Sequence, residues 1–250
     1  MKKNNILITG AAGFLGSIYA DYLSNNNNIY AVDIDLKKLK FLKKNNTNIN
    51  IFRFDIANDK QIKSFCKNLK RKNIFINILI NNAAIDSVPN NSKNYIDLKQ
   101  WNLEINVGLT GSFLMIKYFG QEMAKRRNGK IINIGSDLSV IAPNQDIYKK
   151  SHFNYVKPVT YSVVKHGLLG MTKYFASLYA DKNVNVNMLS PGPVFNNHNK
   201  KFVNQLIKFI PKKRMGNPED LISAVDFLID RKNSYMTGQN IIIDGGRTII

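Results

Sequence analysis

Residues 160–167 read TYSVVKHG and set a tyrosine, Tyr161, four positions before a lysine, Lys165. On an α-helix that spacing brings both side chains to one face, about 6 Å apart along the axis. A phenol with an unperturbed pKa of about 10 is a poor base at neutral pH, and a neighbouring ammonium favours its phenolate. The pair is either a proton-exchanging couple or an exposed aromatic beside a solvated lysine, and spacing alone leaves both open.

A second chemical signal is TGAAGFLG, residues 9–16, which follows the apolar run NILIT and places Gly10, Gly13 and Gly16 at equal intervals. Between a strand and a helix such glycines permit a tight turn, let a pyrophosphate approach the backbone and let helix and strand pack closely. The helix N-terminus adds free N–H groups and a positive dipole end. Asp33 closes the next apolar run, 23 positions after Gly10, near the spacing of about 20 expected of a carboxylate that binds the adenosine ribose. It would accept hydrogen bonds from a 2′-hydroxyl and repel a 2′-phosphate, which favours NAD over NADP. The alternative is that Asp33 or Asp35 caps the next helix, with Asp35 better placed for it. Lys37 and Lys38 could soften the preference by tolerating a phosphate.

The elements that must position these groups follow from periodicity. β-Branched apolar runs predict strands near 5–9, 29–33, 49–54, 74–80, 130–135, 184–189 and 240–243. Amphipathic stretches predict helices near 14–25, 35–44, 58–71, 97–126, 160–180, 199–209 and 218–230. Regular alternation implies a doubly wound α/β fold, with a parallel sheet of about seven strands buried on both faces. Neither a repeat nor a linker interrupts residues 1–250, so one domain is expected, with its ligand beyond the carboxyl ends of the strands.

At 44% apolar and 10% aromatic residues the chain of 250 residues has the composition of a folded protein. Its single cysteine, Cys66, excludes an internal disulfide and reads as a small core filler. No Cys/His spacing suits a metal, so no metal is expected, and a reducing cytoplasm fits. No uninterrupted apolar run is long enough for a membrane span. The formal charge of +19 attracts anions non-specifically. Yet the lysines are scattered among asparagines, which reads as compositional drift, with an anionic substrate second and nucleic acid a distant third.

These landmarks, together with FDIAN (54–58), NNAA (81–84), Asn106 in WNLEINVGLTGSF, IGS (134–136), YSVVK (161–165), SPGPV (190–194), RMGNPED (214–220) and TGQNIIIDGG (237–246), arrive in the order of a known family. The sequence resembles a short-chain dehydrogenase/reductase of the compact, single-domain branch, a Rossmann fold. The resemblance implies that Tyr161 exchanges a proton with the substrate oxygen while hydride passes to or from a nicotinamide. It further implies that Lys165 tunes the phenol and holds the nicotinamide ribose, that Ser136 binds the substrate oxygen, and that Asn106 positions a relay water. Cofactor contacts are implied for Gly10, Ala12, Gly13, Phe14, Leu15 and Gly16 of the turn, for Asp33 and Ile34, and for Asp55 and Ile56 at the adenine. Asn82, Ala83 and Ala84 should line the cofactor, and Pro191, Gly192 and Val194 should face the carboxamide. A homodimer or homotetramer is implied as well.

Three departures stand out. The glycine spacing is commoner in the longer, sugar-nucleotide-modifying branch of the family. Asn196 stands near where the family's PG segment usually carries a threonine. Ser136 and Tyr161 are 25 positions apart, nearly double the family separation, so residues 137–158 hold an insertion containing Tyr148, Lys149, Lys150, His152, Tyr155 and Lys157. A long loop beside an active site is usually functional. It is expected to cover the substrate, with Ser136, Tyr148, His152 and Tyr155 as contacts for a polar or phosphorylated sugar; an oligomer contact or a surface flap is the alternative. A subfamily likeness to reductases of flagellin-modification and surface-polysaccharide sugar synthesis ranks carbohydrates first. No catalytic role is assigned to His152, His166 or His198.

The resulting expectation is an NAD-dependent oxidoreductase interconverting a secondary alcohol and a ketone, acting on a small carbohydrate-related molecule without specific nucleic-acid or membrane partners. Two rivals remain, a sugar-nucleotide epimerase or dehydratase with transient oxidation, and a non-catalytic dinucleotide-sensing or RNA-binding protein.

Overall fold

The structure is a computed structural model that describes residues 3–44, 46–86, 96–151 and 156–250; His152 and Tyr155 lie outside the described residues. Strands β1 (Asn5–Thr9), β2 (Asn28–Asp33), β3 (Ile49–Arg53), β4 (Ile78–Asn81), β5 (Gly129–Ile134), β6 (Val184–Pro191) and β7 (Asn240–Ile243) form one parallel sheet in the order β3-β2-β1-β4-β5-β6-β7. Successive strand residues point to opposite faces, and both faces are buried. Leu7, Leu79, Ile131 and Val186 pack against Phe65, Met115, Phe119 and Phe175 on one side. Ile6, Ile8, Ile78, Ile80, Ile132 and Leu189 pack against Tyr19, Leu23, Leu39 and Leu228 on the other. That arrangement is why the strands read as continuous apolar runs rather than alternating ones.

Helices 59–71, 98–126 and 159–179 cover the first face, and helices 14–24, 36–44 and 222–229 cover the second. The order reverses between β1 and β4, where Ile6 lies opposite Ile78 and Leu7 opposite Leu79. The loops leaving these two strands diverge and open a crevice.

The long helix runs over 98–126 but is not α-helical throughout. Turns of π-helix occupy Asn106–Gly111 and Ile116–Gly120. Its glycines allow the helix 159–179 to dock closely, because a Cβ on Gly108 would sit 2.5 Å from Val164 Cγ1. The buried Glu104 carboxylate accepts a hydrogen bond from the Thr160 hydroxyl and another, at 3.3 Å, from the Gln100 amide. Packing and these polar ties set the rotation of the helix that carries Tyr161 and Lys165.

The strand expected over 74–80 begins only at Ile78, because the Ile74 N–H turns back to the Leu69 carbonyl at 3.0 Å and closes the preceding helix. The expected helix 218–230 opens as a 3₁₀ turn, Pro218–Leu221, since proline sits at its first position. The helix expected over 199–209 is α-helical only over Lys200–Leu206 and ends in a 3₁₀ turn. Inside the insertion a short helix, Gln145–Lys150, starts where the Asn144 side chain accepts the Asp146 N–H at 3.0 Å. Cys66 packs against the first-face core, and burial pushes its thiol up to about 11.

Leu79 is fully buried at the middle of β4. Leu79→Ala is expected to lower unfolding stability by about 2–5 kcal/mol, read from urea denaturation, and a loss below about 1 kcal/mol would contradict the packing described.

Candidate active site

At the carboxyl ends of β1, β2, β4, β5 and β6 lies a cleft of about 670 Å³. Its first wall is the glycine turn. Gly10 has φ +62°, a left-handed conformation suited to glycine, and a Cβ there would sit 2.7 Å from Ala83 Cα. A Cβ on Gly16 would lie 2.1 Å from the Gly10 carbonyl oxygen, so this glycine seats the helix on the turn from behind the cleft rather than lining it. No side chain caps the helix Phe14–Ser24, which leaves N–H groups of its first turn for an anion. Asp33 Oδ2 accepts the Ala12 N–H at 2.9 Å and Oδ1 accepts the Asp35 N–H at 3.0 Å, so its carboxylate is fixed at the end of β2. Asp35 does the capping, accepting the Lys38 N–H at 3.0 Å. A turn with no room for a side chain, an uncapped helix start and an oriented carboxylate fit a dinucleotide.

The deeper wall is built from β5 and the helix Val159–Tyr179. Lys165 is buried and its Nζ donates to the Ile134 carbonyl at 2.9 Å; it stands 5.6 Å from the centre of the Tyr161 ring. Ser136 begins the 3₁₀ turn Asp137–Ser139, with its hydroxyl donating to Asp137 Oδ1 at 2.8 Å and accepting the Leu138 N–H at 3.2 Å. The Tyr161 phenol interacts with the same hydroxyl, which favours its ionised form. Serine is thus both the turn's N-cap and the neighbour of the tyrosine. Asp137 in turn forms a buried ion pair with Arg247, just past the end of β7.

Electrostatics in this wall differ from the simple expectation. Burial raises the Tyr161 phenol well above its ordinary value, and Asp86 and Asp137 push the same way, against the Ser136 hydrogen bond and Arg247. Burial also lowers the Lys165 ammonium to about 8, with Asp86 opposing and Lys157 reinforcing the drop. At 5.6 Å from the ring and bonded to a carbonyl, Lys165 does not offset the desolvation of the phenol. Removal from water outweighs the neighbouring charge.

Most residues expected at the site meet in this cleft. Gly10, Ala12, Gly13, Phe14 and Leu15 line it, as do Asp33, Ile34 and Ile56. So do Asn82, Ala83, Ala84, Pro191, Gly192 and Val194, and with them Ser136, Tyr148, Tyr161 and Lys165. Two do not. Asp55 turns back on its own loop, accepting the Ala57 N–H at 2.8 Å, and borders a neighbouring shallow depression. Asn106 requires a correction: it is exposed, absent from the cleft wall, and its Oδ1 faces the Thr110 hydroxyl at 3.5 Å. Two residues on, Gly108 is the position turned toward Val164; two steps of this π-helical turn are about half a revolution, which carries Asn106 to the far side.

The cleft also gathers residues that sequence reasoning did not place in the site. Asp86, His198, Phe202, Met215 and Arg247 come from segments distant in sequence, and they meet Asn196, which the sequence singles out at the threonine position. The His198 Nδ1 accepts the Asn196 N–H at 3.1 Å, so its Nε2 carries the proton in the neutral ring. Burial lowers its pKa, helped by Lys157. Its ring stacks on Phe202 at 5.5 Å, and Phe202 meets Tyr148 of the insertion at 5.7 Å. No local pattern marks these residues; only their order after β6 and β7 could have hinted at them.

Comparison with known proteins agrees with this architecture. The family described as Enoyl-(Acyl carrier protein) reductase matches residues 18–248. A 3-oxoacyl-[acyl-carrier-protein] reductase FabG of Buchnera aphidicola subsp. Schizaphis graminum is 34% identical, the alignment covering 98% of each chain. An NAD-dependent glycerol dehydrogenase of Listeria innocua is 31% identical over 97% of this chain and 93% of that protein. The crystal structure of a short chain dehydrogenase from Leptospira borgpetersenii with bound NAD+ superposes with a TM-score of 0.86 at 32% identity, covering 99% of this chain and 94% of that one. The chain belongs to the short-chain dehydrogenase/reductase family, whose members are NAD(P)-dependent oxidoreductases.

Proposed function

We propose that this oxidoreductase interconverts a secondary alcohol and a ketone on a small polyol or sugar-related substrate, with Tyr161 as acid and base, Ser136 as the group that binds the reacting oxygen, and Lys165 as the cation behind the phenol. The observation that carries this reading is the convergence of Ser136, Tyr161 and Lys165 on one wall of the cleft that also holds the glycine turn and Asp33. When bound, the nicotinamide supplies or accepts the hydride. The turn from Gly10 to Leu15 would hold its pyrophosphate, and Asp33 the adenosine ribose. In the reductive direction the Tyr161 hydroxyl gives its proton to the substrate oxygen, and the phenolate left behind is met by Ser136 and the Lys165 ammonium.

The substrate class rests on the other end of the cleft. Tyr148, Phe202 and His198 offer aromatic faces beside the polar Asn196, a combination that suits a ring or chain carrying both C–H and hydroxyl surfaces. Among the described residues, the cations on this side, Lys157 and Arg247, are each paired with a carboxylate, Asp86 and Asp137, which favours a neutral polyol or ketose over a phosphorylated sugar. A 3-oxoacyl thioester is the second reading, favoured by the 34% identity to the FabG relative. A panel of polyols, ketoses and 3-oxoacyl thioesters, followed at the nicotinamide absorbance, separates the two.

The preference for NAD is part of the proposal. Its support is the fixed Asp33 carboxylate, whose position at the end of β2 disfavours a 2′-phosphate. A cytoplasmic location agrees with the single cysteine, and no described helix is long and apolar enough to cross a membrane. A homo-oligomer is also proposed, because helices 98–126 and 159–179 expose Leu103, Phe113, Val163, Tyr174 and Leu178.

Tyr161→Phe is expected to reduce kcat by about 10²–10⁴-fold while NADH binding, read by fluorescence titration, stays intact; near wild-type turnover would defeat the assignment. Because burial keeps the phenol protonated, wild-type alcohol oxidation should accelerate by about tenfold per pH unit until it levels off near pH 8, where half of the Lys165 ammonium has lost its proton. Ketone reduction, whose proton donor is already loaded, should not rise over that interval. Replacing Asp33 with serine is expected to shrink the ratio of kcat/KM for NAD over NADP by at least about tenfold, the counterpart of roughly 1.4 kcal/mol; an unchanged ratio would remove Asp33 from cofactor choice. Light scattering should return a mass of at least two chains, and a monomer would refute the oligomer.

A further inference from the structure

Lys157, near the end of the insertion, is held from three directions. Its Nζ lies 2.6 Å from both carboxylate oxygens of Asp86. Its backbone N–H donates to Gln145 Oε1 at 2.8 Å, and its carbonyl accepts the Gln145 amide at 3.3 Å. The ammonium then stands 4.0 Å from the centre of the Tyr161 ring, closer than Lys165 at 5.6 Å. Although lysine heads usually seek water, this side chain is only 11% exposed, while Asp86 is 54% exposed.

We propose that Lys157 is a positioning residue for proton transfer, its ammonium covering one face of the Tyr161 ring and balancing the Asp86 charge beside the phenol. The proposal rests on the reading of Tyr161 as acid and base. A cation over an aromatic face is attracted by the ring's negative face and so restrains the ring's orientation. It also stabilises negative charge that develops on the phenol oxygen. Asp86 does the opposite and still raises the phenol with the ammonium beside it; Lys157 offsets part of that push, so removing either partner exposes the other.

Among the described residues, the other charged groups facing Tyr161 are Lys165 on its own helix and the Asp137–Arg247 pair beyond β5 and β7. His198, in the loop after β6, faces Lys157 and stays neutral. Asp137 and Arg247 are closed on each other, which leaves Asp86 and Lys157 as the adjustable pair. The backbone bonds to Gln145 tie this pair to the helix Gln145–Lys150, whose Tyr148 lies against Phe202 in the substrate end of the cleft. The insertion thereby reaches substrate and acid–base group through one residue.

The test is the pH profile of kcat/KM for alcohol oxidation in Lys157→Met, Asp86→Asn, the double variant and Lys157→Arg, with Tyr161→Phe as control. Lys157→Met should move the rising limb about one unit to higher pH and slow oxidation by about tenfold at pH 7. Asp86→Asn should move it to lower pH. The double variant, neutral at both positions, should return to within about threefold of wild type, and Lys157→Arg should keep the wild-type limb. NADH affinity should be unchanged throughout. Superimposable profiles for wild type and Lys157→Met overturn the proposal, as do equal losses in Lys157→Met and the double variant without a pH displacement, the signature of a strap that only holds the loop. If instead Tyr161→Phe turns over like wild type, the acid–base assignment itself fails.

Discussion

The ammonium of Lys165 is buried and donates to the carbonyl of Ile134, the last residue of β5. A cation removed from water must find such a partner, and this one ties the helix Val159–Tyr179 to the edge of the sheet where the chain turns into Ser136. Glycines on both helices serve the same docking, since Gly108 of the long helix admits Val164 and Gly167 of its partner admits Leu109. Once the helix is seated, Tyr161 has no choice but to face the Ser136 hydroxyl across the cleft wall. The positions of the other cleft residues matter because of that one placement.

Burial sets the chemistry as much as it sets the geometry. The phenol is held protonated by loss of solvent rather than made acidic by the lysine beside it, and the lysine loses basicity for the same reason. Two carboxylates flank the phenol, and each is closed by its own cation, Asp86 by Lys157 and Asp137 by Arg247. Both carboxylates nevertheless raise the phenol further, so the proton-transfer equilibrium is sensitive to how completely each is balanced. An active site of this kind can be retuned by residues that never touch the substrate.

The insertion between Ser136 and Tyr161 is less an addition at the surface than a second floor for the cleft. Its helix is pinned by Gln145 to Lys157, and its Tyr148 joins the aromatic cluster with Phe202 and His198. The small cluster of Ile147, Phe202, Leu206, Ile210 and Met215 buries the underside of that helix against the segment after β6. This end of the cleft is therefore walled by two stretches that are unrelated in sequence and packed only in the folded chain.

What the amino-acid order determined by itself is whatever depends on near neighbours. Two-sided burial makes strands legible as apolar runs, a turn without room for side chains demands glycine at Gly10 and Gly16, and a helical repeat carries Tyr161 and Lys165 to one face. Those short-range constraints sufficed for the doubly wound sheet and for most of the glycine-turn wall of the cleft. Tertiary structure decided the rest. Asn106 reads as a site residue in the string, yet the rotation of its helix, fixed by Gly108 packing on Val164, turns it away. Asp86, Lys157, His198 and Arg247 have no motif to announce them. The depth of burial that raises the phenol, and the pairing of charges around it, are sums over many distant contacts, and no local pattern encodes such a sum.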